Sequence, residues 1–225
     1  LAVGLAKKHG ARLHVLHLTT AKEMELFTPG PITDKRITAE ACVHHLFFND
    51  SWYESKGADI KCNPAVKTAA DQAALLKALN EDRIDVIATD HAPHTREEKE
   101  RPYLAASAGL PLVQHALLTL MEHVAAGKMS IERMVQKVAH APADLFDVAE
   151  RGYLREGYWA DLVLVDPTAE TDVNAEPVLS KCGWSPFADM IFRSRISHTW
   201  VNGNLVYADG ALQSDICGIA LDYDR

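Results

Sequence analysis

The chain has 225 residues, 48% hydrophobic and 24% charged, with a formal net charge of -8. That is the composition of an ordinary globular protein, long enough for one large or two small domains. A pI near 5.7 argues against a nucleic-acid surface, which needs a basic stripe. It leaves room for a small anionic substrate held by a few local cations. No apolar run reaches the ~18 residues of a membrane span. Cys42, Cys62, Cys182 and Cys217 lie far apart with no CxxC spacing, as expected of reduced, partly buried thiols in a cytoplasmic protein rather than a disulfide framework.

The opening stretch, LAVGLAKKHGARLHVLHL, reads as an amphipathic helix already in progress, a Gly10 stop and then a strand. With neither an initiator Met nor a helix cap, the expectation is a chain whose beginning is absent. Residues 13–18 predict a short apolar strand, followed by a Thr19-Thr20 cap and the helix AKEMELF. After the turn-rich TPGPITDKR, the β-branched start of 37–48 predicts another strand, and 60–66 is extended around Asn63-Pro64. Thr68 caps a helix in which Leu75, Leu76 and Leu79 share a face. IDVIATD, residues 84–90, is the clearest buried strand in the chain. Two helices follow over roughly 111–126 and 130–140, the first with apolar residues at i, i+3 and i+4.

This alternation implies repeated βα units and a parallel sheet over residues 1–150. Beyond it the pattern changes. Gly152, Gly157 and Gly183 separate short strands at 160–166, 196–201 and 204–210, and Asn202-Gly203 is a strong hairpin signal. A domain boundary is expected near 148–152, with a small all-β domain over 151–225.

The segment IDVIATDHAPHTREEK, residues 84–99, carries the strongest chemical signal. A buried strand runs into Asp90, with His91 and His94 following. Asp90 is expected on one side with Val86 and Ala88, poorly solvated and in need of a cation or a donor. Two readings fit: a metal ligand, or a cap of the next helix with the histidines in a solvated loop. His17 ends the strand at 13–18 on the side of Leu13 and Val15, with His14 facing the other way. Imidazole and carboxylate at the same end of two strands are ordinary zinc chemistry, and that end is where parallel αβ barrels place catalysis.

ATDHAPHTREEK resembles the signature that ends the eighth barrel strand of dihydroorotases, and LHVLHLTTAKE resembles their sixth strand. CVHHLFF and KCNPAVK are similar to two further family segments, and LREGYWADLVLVD with VNGNLVYADG resembles the small β-domain of amidohydrolases. The resemblance covers essentially the whole chain and implies an α/β fold: the second half of a TIM-like (β/α)8 barrel, then a small composite β-sandwich. It implies a zinc-dependent enzyme that interconverts carbamoyl-aspartate and dihydroorotate in pyrimidine biosynthesis. His17 would ligate one zinc; Asp90 would ligate a second and serve as general acid/base for the departing amide nitrogen. Asn63 and His94 would contact substrate, His94 helping hold its carboxylate, with the backbone at Ala108-Gly109 along the pyrimidine ring.

The same resemblance implies that the other zinc ligands precede residue 1, so His17 and Asp90 alone should hold zinc weakly and the 225 residues should not turn over by themselves. His44 and His45 are expected to make structural hydrogen bonds near the barrel mouth, and His91 to orient rather than ligate. Cys62 is expected to pack, and His115, His123, His140 and His198 to lie on surfaces. A small-molecule substrate is the expected partner, with no nucleic acid or membrane; a homodimer is the prior for such enzymes. Two other readings compete: a different cyclic amidohydrolase (hydantoinase, dihydropyrimidinase or allantoinase), and a silent scaffold subunit. Two departures stand out: SAGLPLVQHALL in the glycine segment, and NPAVK, which has Lys67 where relatives carry arginine.

Overall fold

The computed structural model describes residues 1–213 and 215–224. Helix α1 (Ala2–His9) stops at Gly10, whose φ of 63° is the left-handed C-cap that glycine takes without strain. The chain then enters β1 (Leu13–Val15), β2 (Ile37–Cys42) and β3 (Val86–Ala88), which form a three-stranded sheet in the order β1-β2-β3. Both pairings are parallel, Leu13 lying opposite Ile37 and Glu40 opposite Val86. β2 is central and almost wholly buried, as a parallel strand with neighbours on both sides must be. Helices α2 (Val43–Phe47), α3 (Tyr53–Lys56) and α4 (Ala69–Asn80) lie between β2 and β3. After β3 come α5 (Arg96–Lys99), α6 (Ala116–Ala125), α7 (Ile131–Val135), a π-helical turn and α8 (Ala141–Phe146).

Capping chemistry fixes several of these starts. Thr68 accepts from the Asp71 amide while the Asp71 carboxylate reaches back to Thr68, and Thr95 and Glu98 repeat the arrangement at α5. The predicted elements otherwise run too long. The strand expected over 37–48 ends at Cys42, because the chain turns at once into α2, where the Phe48 amide donates to the His44 carbonyl. AKEMELF is a 3₁₀ helix, Ala21–Leu26. The alternation expected to carry Asp90 with Val86 and Ala88 fails after Ala88, and Asp90 is exposed rather than poorly solvated. His115 and His123, expected on surfaces, are buried; burial drives both imidazoles down to about 4.

The later strands are β4 (Leu162–Asp166), β5 (Thr171–Asp172), β6 (Ile191–Phe192), β7 (Arg195–Val201), β8 (Asn204–Ala208) and β9 (Ala211–Leu212). They pair as one antiparallel sheet, β4-β7-β8-β9, and a short β5-β6 pair. Asn202 at φ 52° and Gly203 at φ 79° make the two positive-φ positions that a tight β7–β8 hairpin requires. The β5-β6 region packs into the core of the first 150 residues: Phe187 stacks on Phe48 at 5.3 Å, and Val173 and Phe192 join the same cluster.

Candidate active site

Because β1, β2 and β3 run parallel, their C-terminal ends open on one face. His17 lies two residues past β1 and Asp90 two past β3. They follow the two outer strands of the sheet, on either side of the end of β2. Both take positive φ, 38° and 48°, a region that non-glycine residues visit rarely and that clusters at functional sites. Among the described residues, neither the His17 ring nor the Asp90 carboxylate has a hydrogen-bond or ion-pair partner. An imidazole and a carboxylate just past two strand ends, without partners among the described residues, fit a metal of the zinc type.

Glu40, a charged residue inside the buried strand ITAEAC, braces this end. Its carboxylate accepts from the His17 amide at 3.3 Å and pairs with His14 Nε2 at 3.1 Å, while His14 Nδ1 lies 2.9 Å from Thr38 Oγ1. The signal for Glu40 was present in the sequence, as an acidic residue at a core-strand position, and reading by motif passes over it.

At the end of β2, Cys42, His44 and His45 are all buried, with ligand-capable atoms within 4.8 Å of one another. The two imidazole centroids are 3.9 Å apart. His45 Nε2 lies 2.8 Å from the Pro64 carbonyl. The Thr89 backbone meets the His44 ring, while Nδ1 of His45 has no hydrogen-bond partner among the described residues. Burial, reinforced by His45 and His17 and opposed by the Thr89 backbone, holds His44 well below the usual histidine range. Burial also brings His45 to about 4, against the pull of the Pro64 carbonyl. The Cys42 thiol is pushed up by burial and then by the Glu40 and Asp90 charges, and Cys62 up to about 11 by burial.

The predicted substrate residues gather on the neighbouring loops. Residues 90–94 run beside 108–110, with His91 bridged to Leu110 and the Ala92 amide donating to the Leu110 carbonyl at 3.0 Å. His94 Nε2–H donates to the Ala108 carbonyl at 3.2 Å, and Nδ1 faces Glu98 at 3.5 Å. Gly109 has φ 147°, and a Cβ there would sit 2.5 Å from the Ala92 carbonyl oxygen, so only glycine permits this approach. Its amide donates to the Lys61 carbonyl at 2.9 Å, which brings the turn to the segment carrying Asn63. Asn63 is exposed and joined to Pro64 by a cis peptide.

Lys99 was missed by sequence reasoning, which assigned it no role. It is 1% exposed, and its ammonium donates to the carbonyls of Lys61, Ser107 and Gly109 at 3.2, 3.0 and 3.0 Å. It therefore ties together the two loops that bear Asn63 and Ala108-Gly109. Burial lowers its pKa to about 8, opposed by Asp59. Trp184 covers this knot, donating from Nε1 to the His94 carbonyl at 2.7 Å and lying under Arg96 and Lys99. His91 turns its Nδ1 to the amides of Leu112 and Val113, at 2.9 and 3.1 Å, so that nitrogen is engaged by backbone.

Residues 4–206 match the model of the amidohydrolase family. The chain is 36% identical over 186 residues to a dihydroorotase of Halobacterium salinarum, covering 83% of this chain and 43% of that protein. It is 32% identical over 206 residues to a dihydroorotase of Clostridium acetobutylicum, covering 91% and 48%. The chain thus spans about half the length of the curated relatives it matches. Among solved structures, L-hydantoinase (dihydropyrimidinase) from Arthrobacter aurescens superposes with TM-score 0.83 at 28% identity, over 94% of this chain and 48% of that one. A dihydroorotase from Saccharomyces cerevisiae in complex with 5-fluoroorotic acid shares the fold, with TM-score 0.68 at 19% identity, over 85% of this chain and 54% of that one. These likenesses make the parallel sheet and its helices part of a TIM-barrel-like α/β fold, and the chain belongs to the amidohydrolase family.

Proposed function

We propose that this chain supplies the later part of a dihydroorotase active site, in an enzyme that opens and closes the cyclic amide of dihydroorotate with zinc as its metal. One observation carries the reading. Among the described residues, the His17 ring and the Asp90 carboxylate stand without partners at the C-terminal ends of parallel strands, near the knot of His94, Ala108 and Gly109. The likeness to dihydroorotases over most of the chain supports it.

His17 and Asp90 would hold metal. Such an ion supplies Lewis-acid polarisation of the scissile carbonyl and a more acidic water. Asp90, exposed and close to the reacting groups on this reading, takes a proton from the attacking water and returns it to the departing nitrogen. Acid–base help of this kind is worth roughly 10²–10⁴-fold. His94, with its side chain 31% exposed, can swing from the Ala108 carbonyl to a substrate carboxylate. Asn63, exposed two residues beyond the Lys61 carbonyl that the Gly109 amide meets, would contact the substrate, and Lys99 keeps Ala108-Gly109 in place for the ring. We also propose a division near residue 150 between the barrel portion and the β4-β7-β8-β9 sheet.

The hydantoinase superposition supports a second reading, a cyclic amidohydrolase for neutral rings. A substrate panel on the complete enzyme separates the two. Dihydroorotate should be preferred by kcat/KM over hydantoin, dihydrouracil and allantoin, because only it offers a carboxylate to His94. Equal or better turnover of a neutral ring would replace dihydroorotase with the second reading.

A further inference from the structure

The cluster at the end of β2 has no part in the chemistry above. We propose that Cys42, His44 and His45 form a metal site of their own, for a thiophilic divalent ion such as zinc, separate from His17 and Asp90. The inference does not rest on the dihydroorotase reading.

Three features of the cluster point to an ion. First, one thiol and two imidazoles, all buried, bring their ligand atoms within 4.8 Å of one another. Such a soft sulfur–nitrogen set suits zinc and excludes oxygen-seeking magnesium or calcium. Second, Nδ1 of His45 has no hydrogen-bond partner among the described residues, and no short hydrogen bond there satisfies the His44 ring, which meets the Thr89 backbone. Buried polar groups are nearly always satisfied, and His44 at 0% exposure is shut away within this chain. Third, His45 is already set as a ligand. Its Nε2–H donates to the Pro64 carbonyl at 2.8 Å, which leaves the lone pair on Nδ1 bare. Orientation of a ligating histidine through its other nitrogen is the usual outer support of a metal site.

The local sequence explains the convergence. β2 delivers Cys42 at its last position and α2 begins at Val43, so the three ligands arise within one turn of chain. On binding, the Cys42 thiol loses its proton to solvent and the sulfur takes the ion in its place. With the ligands at 0%, 0% and 3% exposure, uptake belongs to folding rather than to later exchange.

The test is to express the protein in zinc-depleted medium supplied with cobalt(II) and record its optical spectrum after purification. A sulfur-to-cobalt charge-transfer band is expected in the near ultraviolet. It should persist in the His17→Ala/Asp90→Asn double variant and in Cys62→Ser, and vanish in Cys42→Ser. Absence of the band in the parent, its survival in Cys42→Ser, or its loss in Cys62→Ser or the double variant would overturn the proposal. X-ray absorption on the cobalt-loaded parent needs no variant to fold. One sulfur and two imidazole scatterers support the site, and nitrogen and oxygen scatterers alone refute it.

Discussion

At the entry end of the strands, Lys35 and Asp85 pair at 2.6 Å, both nearly buried, and the second Asp85 oxygen accepts from the Ala39 amide at 2.9 Å. Beside them Asp82 is held by Lys137 at 2.8 Å and by Arg133. At the exit end of the same strands, the His17 ring and the Asp90 carboxylate have no such partners among the described residues, and both sit in strained positive-φ conformations. One sheet therefore carries satisfied charges at one end and unsatisfied ligands at the other. A barrel-type fold separates stability and chemistry in this way, with the lower face closed by pairing and the upper face left for substrate and metal. The difference teaches where to look: a charge that the fold has paired serves the fold, and one it leaves unpaired at a strand end awaits something else.

If that division holds, variants at the two ends should fail in different ways. The largest effect belongs to the closed end. Asp85→Ala strands Lys35 in the interior and frees the Ala39 amide, and loss of one partner of a buried pair costs about 3–5 kcal/mol. Urea denaturation should register that loss while activity per folded molecule of the complete enzyme stays near that of the parent. A large fall in kcat at unchanged stability would erase the distinction.

Asp90→Asn should behave in the opposite sense. The amide keeps the shape and cannot accept a proton, so kcat for dihydroorotate should drop at least ~10²-fold with the melting temperature unchanged. Activity within a few-fold of the parent would remove Asp90 from the chemistry.

His94→Ala tests the neighbouring knot. Losing a hydrogen bond to a charged group costs about 1.5–3 kcal/mol, expected as a raised KM for dihydroorotate with the metal content intact. Stoichiometric metal loss, read by elemental analysis, would instead make His94 a ligand.

The smallest effect is a pH dependence at the closed end. Burial alone would raise the Asp82 carboxyl, but Lys137 and then Arg133 hold it below the usual carboxylate range. A depressed folded-state pKa gives stability that is present above the unfolded value of about 3.9 and is lost as pH falls through the folded one. Melting temperatures should therefore fall below about pH 4, and Asp82→Asn should flatten that decline. An equal acid slope in parent and variant would take Asp82 out of the account.

Much of the architecture was legible because its causes are local. The Thr68–Asp71 capping box, the Gly10 helix stop and the Asn202-Gly203 hairpin each depend on residues within a few positions, and each formed as expected. The motif segments likewise placed His17 and Asp90 at strand ends, since a short apolar run followed by a polar residue announces where a buried strand emerges. Asn63, His94, Ala108 and Gly109 came from family resemblance; of these the structure joins His94 to Ala108, and the Gly109 amide to Lys61.

What the sequence determined by itself was the order of elements, their caps and turns, and the residues that end the strands. The tertiary structure alone decided which polar groups are shut away from water and who satisfies them. Lys99 meets the carbonyls of Lys61 and Ser107, and Trp184 meets His94 ninety residues away. His115 and His123 turn inward, and Cys42, His44 and His45 close into a buried cluster. The reason is physical. Propensity, capping and turn chemistry act over a few residues, whereas burial is a property of what packs on top, and it is burial that turns an ordinary lysine, histidine or cysteine into a group that needs a partner.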